Sequence, residues 1–274
     1  MRFFSLILSV FFLSASFSSA EITAKKRIIS LMPSYTEIIY ALGAQDQLVG
    51  VSNFCNYPKA ALEKEKTGDY LRPNFEKIYF LKPDIVFAPQ WKNSILLKNL
   101  RALNLNVTQF EDESEVEDIF KTIRIIADKT NKKAEGKALI NKLKKRLKEI
   151  SKKTALNKRK TKVYIEVDAK YWTAGDNSFL SDVIEKAGGE NIFSNIKRSY
   201  FQTSWEVVIE RNPDIIISLW GTADDYMQKP LAKKINAVSN SQIISAIDRD
   251  KIARPALRVF DIIEELSVKL HEDK

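Results

Sequence analysis

Residues 75–87, FEKIYFLKPDIVF, decide the fold because the same pattern stands again 130 residues further on, where residues 205–217 read WEVVIERNPDIII. Each copy has a Glu directly after an aromatic residue, a short helical stretch, and then Pro-Asp before a β-branched run. Proline stops a helix and aspartate favours a turn, so each copy predicts a helix followed by a buried strand. A spacing of 130 exceeds the period of about 20–50 residues of solenoid repeats, so we expect two similar α/β lobes.

Strand and helix patterns alternate around the first copy. Residues 27–31, 47–52, 84–88 and 107–110 are apolar strand candidates, and helical patterns separate them. Strands that return after single helices indicate parallel βαβ units. The helix after the first strand fits a capping box, with Ser34 as N-cap and Glu37 at N3.

A long basic helix is predicted between the two copies. Residues 131–160 carry 13 Lys and Arg against 2 Glu, a local net charge of +11 in a chain of net charge +9. Leu139, Leu143, Leu147 and Ile150 recur at helical spacing, which favours an amphipathic helix with solvated lysines over a nucleic-acid groove. A helix of roughly twenty residues spans about 30 Å, so it would join the lobes as a rigid strut.

The chain is therefore divided into a signal peptide (1–20), an N-terminal lobe (21–130), a linking helix (131–157) and a C-terminal lobe (158–274). Arg2, the apolar run that follows and Ser18-Ser19-Ala20 are typical of a cleaved secretory signal. The apolar run is shorter than the roughly 20 residues that span a bilayer. We expect a protein that is soluble in the periplasm after cleavage.

One His and one Cys exclude several kinds of chemistry. A Cys/His zinc site, an internal disulfide and a Ser-His-Asp relay all need more of these side chains, and His271 lies at the chain end. The sequence also lacks a G-x-S-x-G elbow and a Walker loop. We expect no catalytic residue, metal site or cofactor, and a buried Cys55; a secreted α/β enzyme that uses Asp, Glu or Tyr is a remote alternative.

The order of segments resembles the periplasmic binding proteins whose two lobes are bridged by a single helix. The resemblance covers about residues 26–270 and is carried by RIISLMPSYTEIIYALG (27–43), TGDYLRPNFEKIYFLKPDIVFA (67–88), TAGDNSFLSDVIEKAGGENIF (173–193) and WEVVIERNPDIIIS (205–218). These proteins serve ABC importers for cobalamin, ferric siderophores and haem. The resemblance implies an α/β fold of two Rossmann-like lobes with parallel sheets, joined by one long helix, with the ligand cleft between the lobes.

The resemblance also assigns permease docking to Glu76 and Glu206, one on each lobe. Both follow an aromatic residue near a helix start, where a carboxylate is favoured by the helix dipole and stays exposed. Because acidic residues are common in first turns, helix stabilisation alone is the alternative interpretation.

Aromatic residues cluster after predicted strands, where the ligand of an open α/β sheet binds. The predicted ligand-binding residues are Phe54, Tyr57, Tyr70, Trp91, Trp172, Tyr200, Trp220 and Arg258. Rings on loops suit a large, flat, mostly apolar ligand, although packing could explain any single one. By resemblance, Tyr70, Trp91, Trp172 and Tyr200 align with aromatic positions of the cobalamin cleft, with Tyr70 and Tyr200 replacing tryptophans. Arg258 and its neighbour Arg254 either contact an anionic or amide-bearing ligand edge or lie on the surface.

The predicted function is therefore a periplasmic substrate-binding protein that captures cobalamin or a related corrinoid. Its partners would be that small ligand and an inner-membrane ABC permease dimer with its ATPase, and the protein would be a monomer that does not bind nucleic acid. A ferric-siderophore or haem receptor of the same class is the alternative. Since no His is available in the cleft, iron would need tyrosine ligation.

Overall fold

The computed structural model describes residues 25–90, 94–156 and 159–271. The predicted signal peptide, 1–20, lies outside these residues. The first part of the fold consists of β1 (Ile28–Ser30), α1 (Pro33–Ala41), β2 (Leu48–Val51), α2 (Phe75–Phe80), β3 (Ile85–Pro89), α3 (Ser94–Ala102), β4 (Val107–Phe110) and α4 (Asp118–Lys129). The long helix α5 (Lys133–Thr154) follows and lies within the segment predicted to link the lobes.

The second part of the chain repeats the alternation of strand and helix. It consists of β5 (Thr161–Asp168), β6 (Trp172–Ala174), α6 (Phe179–Lys186), β7 (Gly189–Asn191), β8 (Tyr200–Gln202), α7 (Trp205–Arg211), β9 (Ile215–Ser218), α8 (Ala223–Met227), α9 (Asn236–Ser239), β10 (Ile243–Ile244), α10 (Arg249–Ile252) and α11 (Val259–Lys269). Short 3-10 helices lie at Gln45–Gln47, Lys59–Glu63 and Ala232–Lys234. In the described part of the chain, no helix combines the length and the apolar character that crossing a bilayer requires.

The first sheet is parallel throughout, as the sequence predicted. Its strand order is β2-β1-β3-β4, and every neighbouring pair runs in the same direction. The carboxyl ends of all four strands therefore meet at one edge of the sheet. In a sheet of this kind, ligands bind outside that edge.

The second sheet is mixed, which corrects the expectation of two parallel sheets. Its order is β10-β9-β5-β6-β8, with β7 also paired to β5. The pairs of β5 with β9 and β7 are parallel, but β6 is antiparallel to both β5 and β8. Lys170 and Tyr171, at φ 60° and 62°, form a tight left-handed turn between β5 and β6. Two residues of positive φ match the twist of a hairpin, so β6 folds back beside β5.

The Pro-Asp repeat has the same hydrogen bonds in both lobes. The Arg27 amide donates to Asp84 Oδ2 at 2.7 Å, and the Asp84 amide donates to the Arg27 carbonyl at 2.8 Å. In the second lobe the Lys162 amide donates to Asp214 Oδ2 at 3.1 Å, and the Asp214 amide donates back at 2.8 Å. Each aspartate thus ties the incoming strand to the first strand of its own lobe, which accounts for the recurrence of the motif.

The capping box predicted for α1 is wrong. The helix begins two residues earlier, with Met32 as N-cap and Pro33 in the first turn. Proline suits this position because its fixed φ is already helical and it has no amide hydrogen to satisfy. Glu37 consequently lies inside the helix, buried at 3% exposure.

The long helix α5 packs as its sequence pattern predicts. Leu143 and Ile150 are buried, and Leu139 and Leu147 pack against the same apolar cluster. That cluster contains residues of both sheets as well as of α4 and α11. The strut is therefore part of a core that continues from one lobe into the other, rather than a free tether.

Candidate functional site

The loop after β2 presents two of the predicted ligand-binding rings of the first lobe. Phe54 is 51% exposed, and its ring centroid lies 6.1 Å from that of Tyr70. Between Phe54 and Tyr57, Cys55 points inward and is completely buried. The Thr36 hydroxyl donates to its Sγ at 3.1 Å, which anchors the loop to α1. The prediction that Cys55 is buried is thus confirmed.

In the second lobe, strand register places Trp172 and Tyr200 on one face of the β6–β8 pair. Trp172 pairs with Gln202 and Ala174 pairs with Tyr200, so the two rings are diagonal neighbours. They are 43% and 45% exposed. Phe201 lies on the opposite face, where its ring packs edge-on against Phe193 at 5.2 Å. Alternation along β8 therefore leaves Tyr200 exposed and packs Phe201 against the core.

The turn that carries Trp172 is held from beneath by a buried carboxylate that sequence analysis did not single out. The Tyr171 amide donates to Glu166 Oε1 at 3.1 Å, and the Tyr226 hydroxyl donates to Glu166 Oε2. Burial raises the pKa of Glu166. The Lys229 ammonium lies 4.5 Å above the Tyr171 ring and 5.4 Å from the Trp205 ring. These contacts fix the backbone just before Trp172 and connect it with the start of α7.

The remaining predicted ligand-binding residues are Trp220, Trp91, Tyr57 and Arg258. Trp220 follows β9 and is 57% exposed. Trp91 lies outside the described residues. The guanidinium of Arg258 is 4.2 Å above the Tyr57 ring and bonds to the buried carboxylate of Glu37. Arg258 thus has a partner within the protein, and its contact with a ligand stays a prediction.

Glu76 and Glu206 occupy equivalent positions in the two lobes. Each is the second residue of its helix, α2 or α7, and each is exposed. Asn74 caps α2 by accepting from the Lys77 amide at 2.9 Å. A hydrogen bond from Ser204 lowers the pKa of Glu206, so this carboxylate is charged at neutral pH. Both carboxylates are therefore accessible to a partner.

An acidic cavity of about 540 Å³ adjoins the carboxyl end of β4. Within it, Glu113 accepts a hydrogen bond from the Thr122 hydroxyl at 2.8 Å, and burial raises its pKa to about 7 from an ordinary 4.5. Because the folded state holds this proton more tightly, the stability contributed by Glu113 falls as pH rises from 4.5 through 7. No cluster of three or more His, Cys, Asp or Glu side chains suited to a metal occurs among the described residues.

Comparison with known proteins identifies the family. The sequence profile described as periplasmic binding protein matches residues 28–249. The chain belongs to the periplasmic binding protein family. Two relatives in this family are similar along nearly the whole chain. An uncharacterised ABC transporter substrate-binding lipoprotein of Bacillus subtilis is 31% identical over 93% of this chain and 84% of the relative. The vitamin B12-binding protein of Vibrio cholerae is 30% identical over 89% of each chain.

A solved periplasmic binding protein has the same fold. It comes from Staphylococcus epidermidis, is described as a possible iron-binding protein, and is 31% identical with a TM-score of 0.79. The match covers 90% of this chain and 99% of the other. The resemblance drawn from the sequence is therefore confirmed at the level of family and fold, with α/β lobes and a long helix.

Proposed function

We propose that this periplasmic binding protein captures cobalamin or a related corrinoid between its lobes and delivers it to an inner-membrane ABC permease dimer with its ATPase. The observation that carries the proposal is a set of rings left 43–57% exposed at strand ends of both lobes, namely Phe54, Tyr57, Trp172, Tyr200 and Trp220. Trp172 and Tyr200 are neighbours on one face, and the Phe54 ring lies 6.1 Å from that of Tyr70, so these rings form patches, which mark binding sites, and not scattered single residues. A corrinoid is large and flat, and rigid rings contact such a surface at low entropic cost.

The same proposal gives roles to the rest of the molecule. Glu76 and Glu206 dock onto basic side chains of the permease, one lobe on each subunit of the dimer. The protein acts as a monomer in the periplasm, binds its ligand without changing it, and has no cofactor of its own. The Vibrio cholerae relative named as a vitamin B12-binding protein supports this assignment of the ligand.

A receptor for a ferric siderophore or haem is the second candidate. The observation in its favour is the similarity to the Staphylococcus epidermidis protein described as a possible iron-binding protein. Tyr57 and Tyr200 are both exposed by more than two fifths and could supply a phenolate to iron.

Calorimetric titration of the mature protein with cyanocobalamin, haemin and a ferric siderophore distinguishes the two candidates. We expect saturable one-to-one binding of cyanocobalamin only. Binding of an iron chelate without a corrinoid response would keep the transport role and assign the substrate to iron acquisition, while no response to any of the three would refute both.

A further inference from the structure

Glu37 is a buried carboxylate at the junction of the lobes. It lies in α1 of the first lobe, and its side chain is 2% exposed. Arg258, at the start of α11 in the second lobe, donates to both of its oxygens, through Nη2 at 2.6 Å and Nε at 3.1 Å. Arg254 adds a longer contact of 3.4 Å. Both arginine side chains are themselves at most 14% exposed.

The same two arginines hold residues 53–57, here called the cleft loop. Arg254 donates to Asn56 Oδ1 at 2.6 Å and to the Phe54 carbonyl at 3.4 Å. Arg258 covers the Tyr57 ring at 4.2 Å. The loop that carries two of the proposed ligand-binding rings is therefore fixed by side chains of the other lobe. Glu37 holds Arg258 at 2.6 Å and assists Asp250, which lies 2.8 Å from Arg254, in holding Arg254.

Simple stabilisation is a weak explanation for this arrangement. Desolvating a carboxylate and two guanidinium groups costs about as much as their attraction returns, so a buried ion pair adds little to stability compared with apolar packing. A bidentate pair does, however, impose a definite geometry, because both of its hydrogen bonds must be aligned at once. Through Arg254 and Arg258, Glu37 connects α1 and the cleft loop of the first lobe with the segment before α11, 221 residues further along the chain.

We propose that Glu37 is a positioning residue for ligand binding: through Arg254 and Arg258 it orders the cleft loop and sets the angle between the lobes before the ligand arrives. This inference rests on the proposed function. Without the Glu37 carboxylate, ligand binding itself would have to order the rings of the cleft loop and the relative position of the lobes. This ordering would reduce the affinity for the ligand.

Glu37→Gln tests the role, because it keeps the shape of the side chain and removes its charge. We expect cyanocobalamin to bind at least about tenfold more weakly in calorimetry, since immobilising each rotamer-rich side chain costs about 0.5–1.5 kcal/mol. Spin labels at Lys98→Cys and Lys233→Cys, one exposed site in each lobe, should report a broader distribution of interlobe distances in the variant. Asp261→Asn is the matched control, because it weakens another ion pair of α11, the one between Asp261 and Arg146. The Asp261 side chain is 58% exposed. Ligand affinity and interlobe distances should not change in this variant.

A variant that melts at a lower temperature but keeps the wild-type Kd and the wild-type distance distribution would overturn the inference, since Glu37 would then be only structural. If Glu37→Gln does not fold, Arg258→Lys repeats the test with the charge kept and the bidentate geometry lost. If the wild-type protein binds no corrinoid, the proposed function fails, whereas the distance measurement on the ligand-free protein still decides whether Glu37 sets the lobe angle.

Discussion

Changing Trp172 to alanine removes the ring that the β5–β6 turn presents on the same face as Tyr200. The ring is 43% exposed, and the backbone beneath it is held by Glu166 and not by the indole. We therefore expect the variant to keep its fold and to lose ligand affinity.

The size of the loss follows from the area that a ligand would cover. With about 250 Å² for a tryptophan, 43% exposure leaves about 100 Å² to be covered by the ligand. At about 25 cal/mol per Å², this area is worth roughly 2.5 kcal/mol. Such an energy corresponds to about a 70-fold increase in Kd.

Calorimetric titration with cyanocobalamin measures the change, and circular dichroism confirms the fold of each variant. Leu156→Ala is a suitable control, because Leu156 is an even more exposed apolar residue, at 82%, but follows α5 and not a strand. Its Kd should equal that of the wild type. If Trp172→Ala also binds with wild-type affinity, Trp172 does not contact the ligand and the proposed cleft is misplaced.

Three further predictions concern docking, the strut and the acidic cavity. Glu76→Lys combined with Glu206→Lys should abolish corrinoid uptake by cells and leave the calorimetric Kd unchanged; a parallel loss of affinity would place these side chains in the cleft or the fold. Leu143 in α5 is only 3% exposed, so Leu143→Ala should lower the free energy of unfolding, measured with urea, by about 2–5 kcal/mol. A loss well below 1 kcal/mol would contradict the place of Leu143 in the core. In the wild type, the raised pKa of Glu113 should lower the free energy of unfolding by on the order of 3 kcal/mol between about pH 4.5 and 7. Glu113→Gln should remove this decline. A free energy of unfolding, measured by urea titration, that falls as steeply in the variant as in the wild type would be inconsistent with the raised pKa.

Sequence reasoning succeeded where a local pattern determines the structure. The Pro-Asp repeat predicted two similar lobes, and its aspartates make the same hydrogen bonds in each. The leucine stripe of α5 predicted the buried face of the strut, because helical spacing alone puts Leu143 and Ile150 on one side.

The failures concern contacts between residues that are far apart in the chain. Glu37 matched a capping box, but Pro33 already begins the helix, and the partners of Glu37 come from a segment more than 200 residues later. Nothing in the local sequence of Arg258 indicates whether it faces a ligand or a buried carboxylate. The antiparallel strand β6 was also missed, since its turn has no glycine and uses Lys170 and Tyr171 in the left-handed region instead. The segment therefore lacks the glycine-containing pairs by which a hairpin turn is recognised in a sequence.

The most direct test of the central claim is a competition experiment. Protein without the predicted signal peptide is incubated with equimolar cyanocobalamin, haemin and a ferric siderophore and passed through a gel-filtration column. The visible spectrum of the protein peak is then recorded. We expect the corrinoid bands at about one ligand per protein, with neither the haem band nor the siderophore band present. A protein peak that carries a haem or siderophore band in place of the corrinoid would contradict the assignment of the ligand.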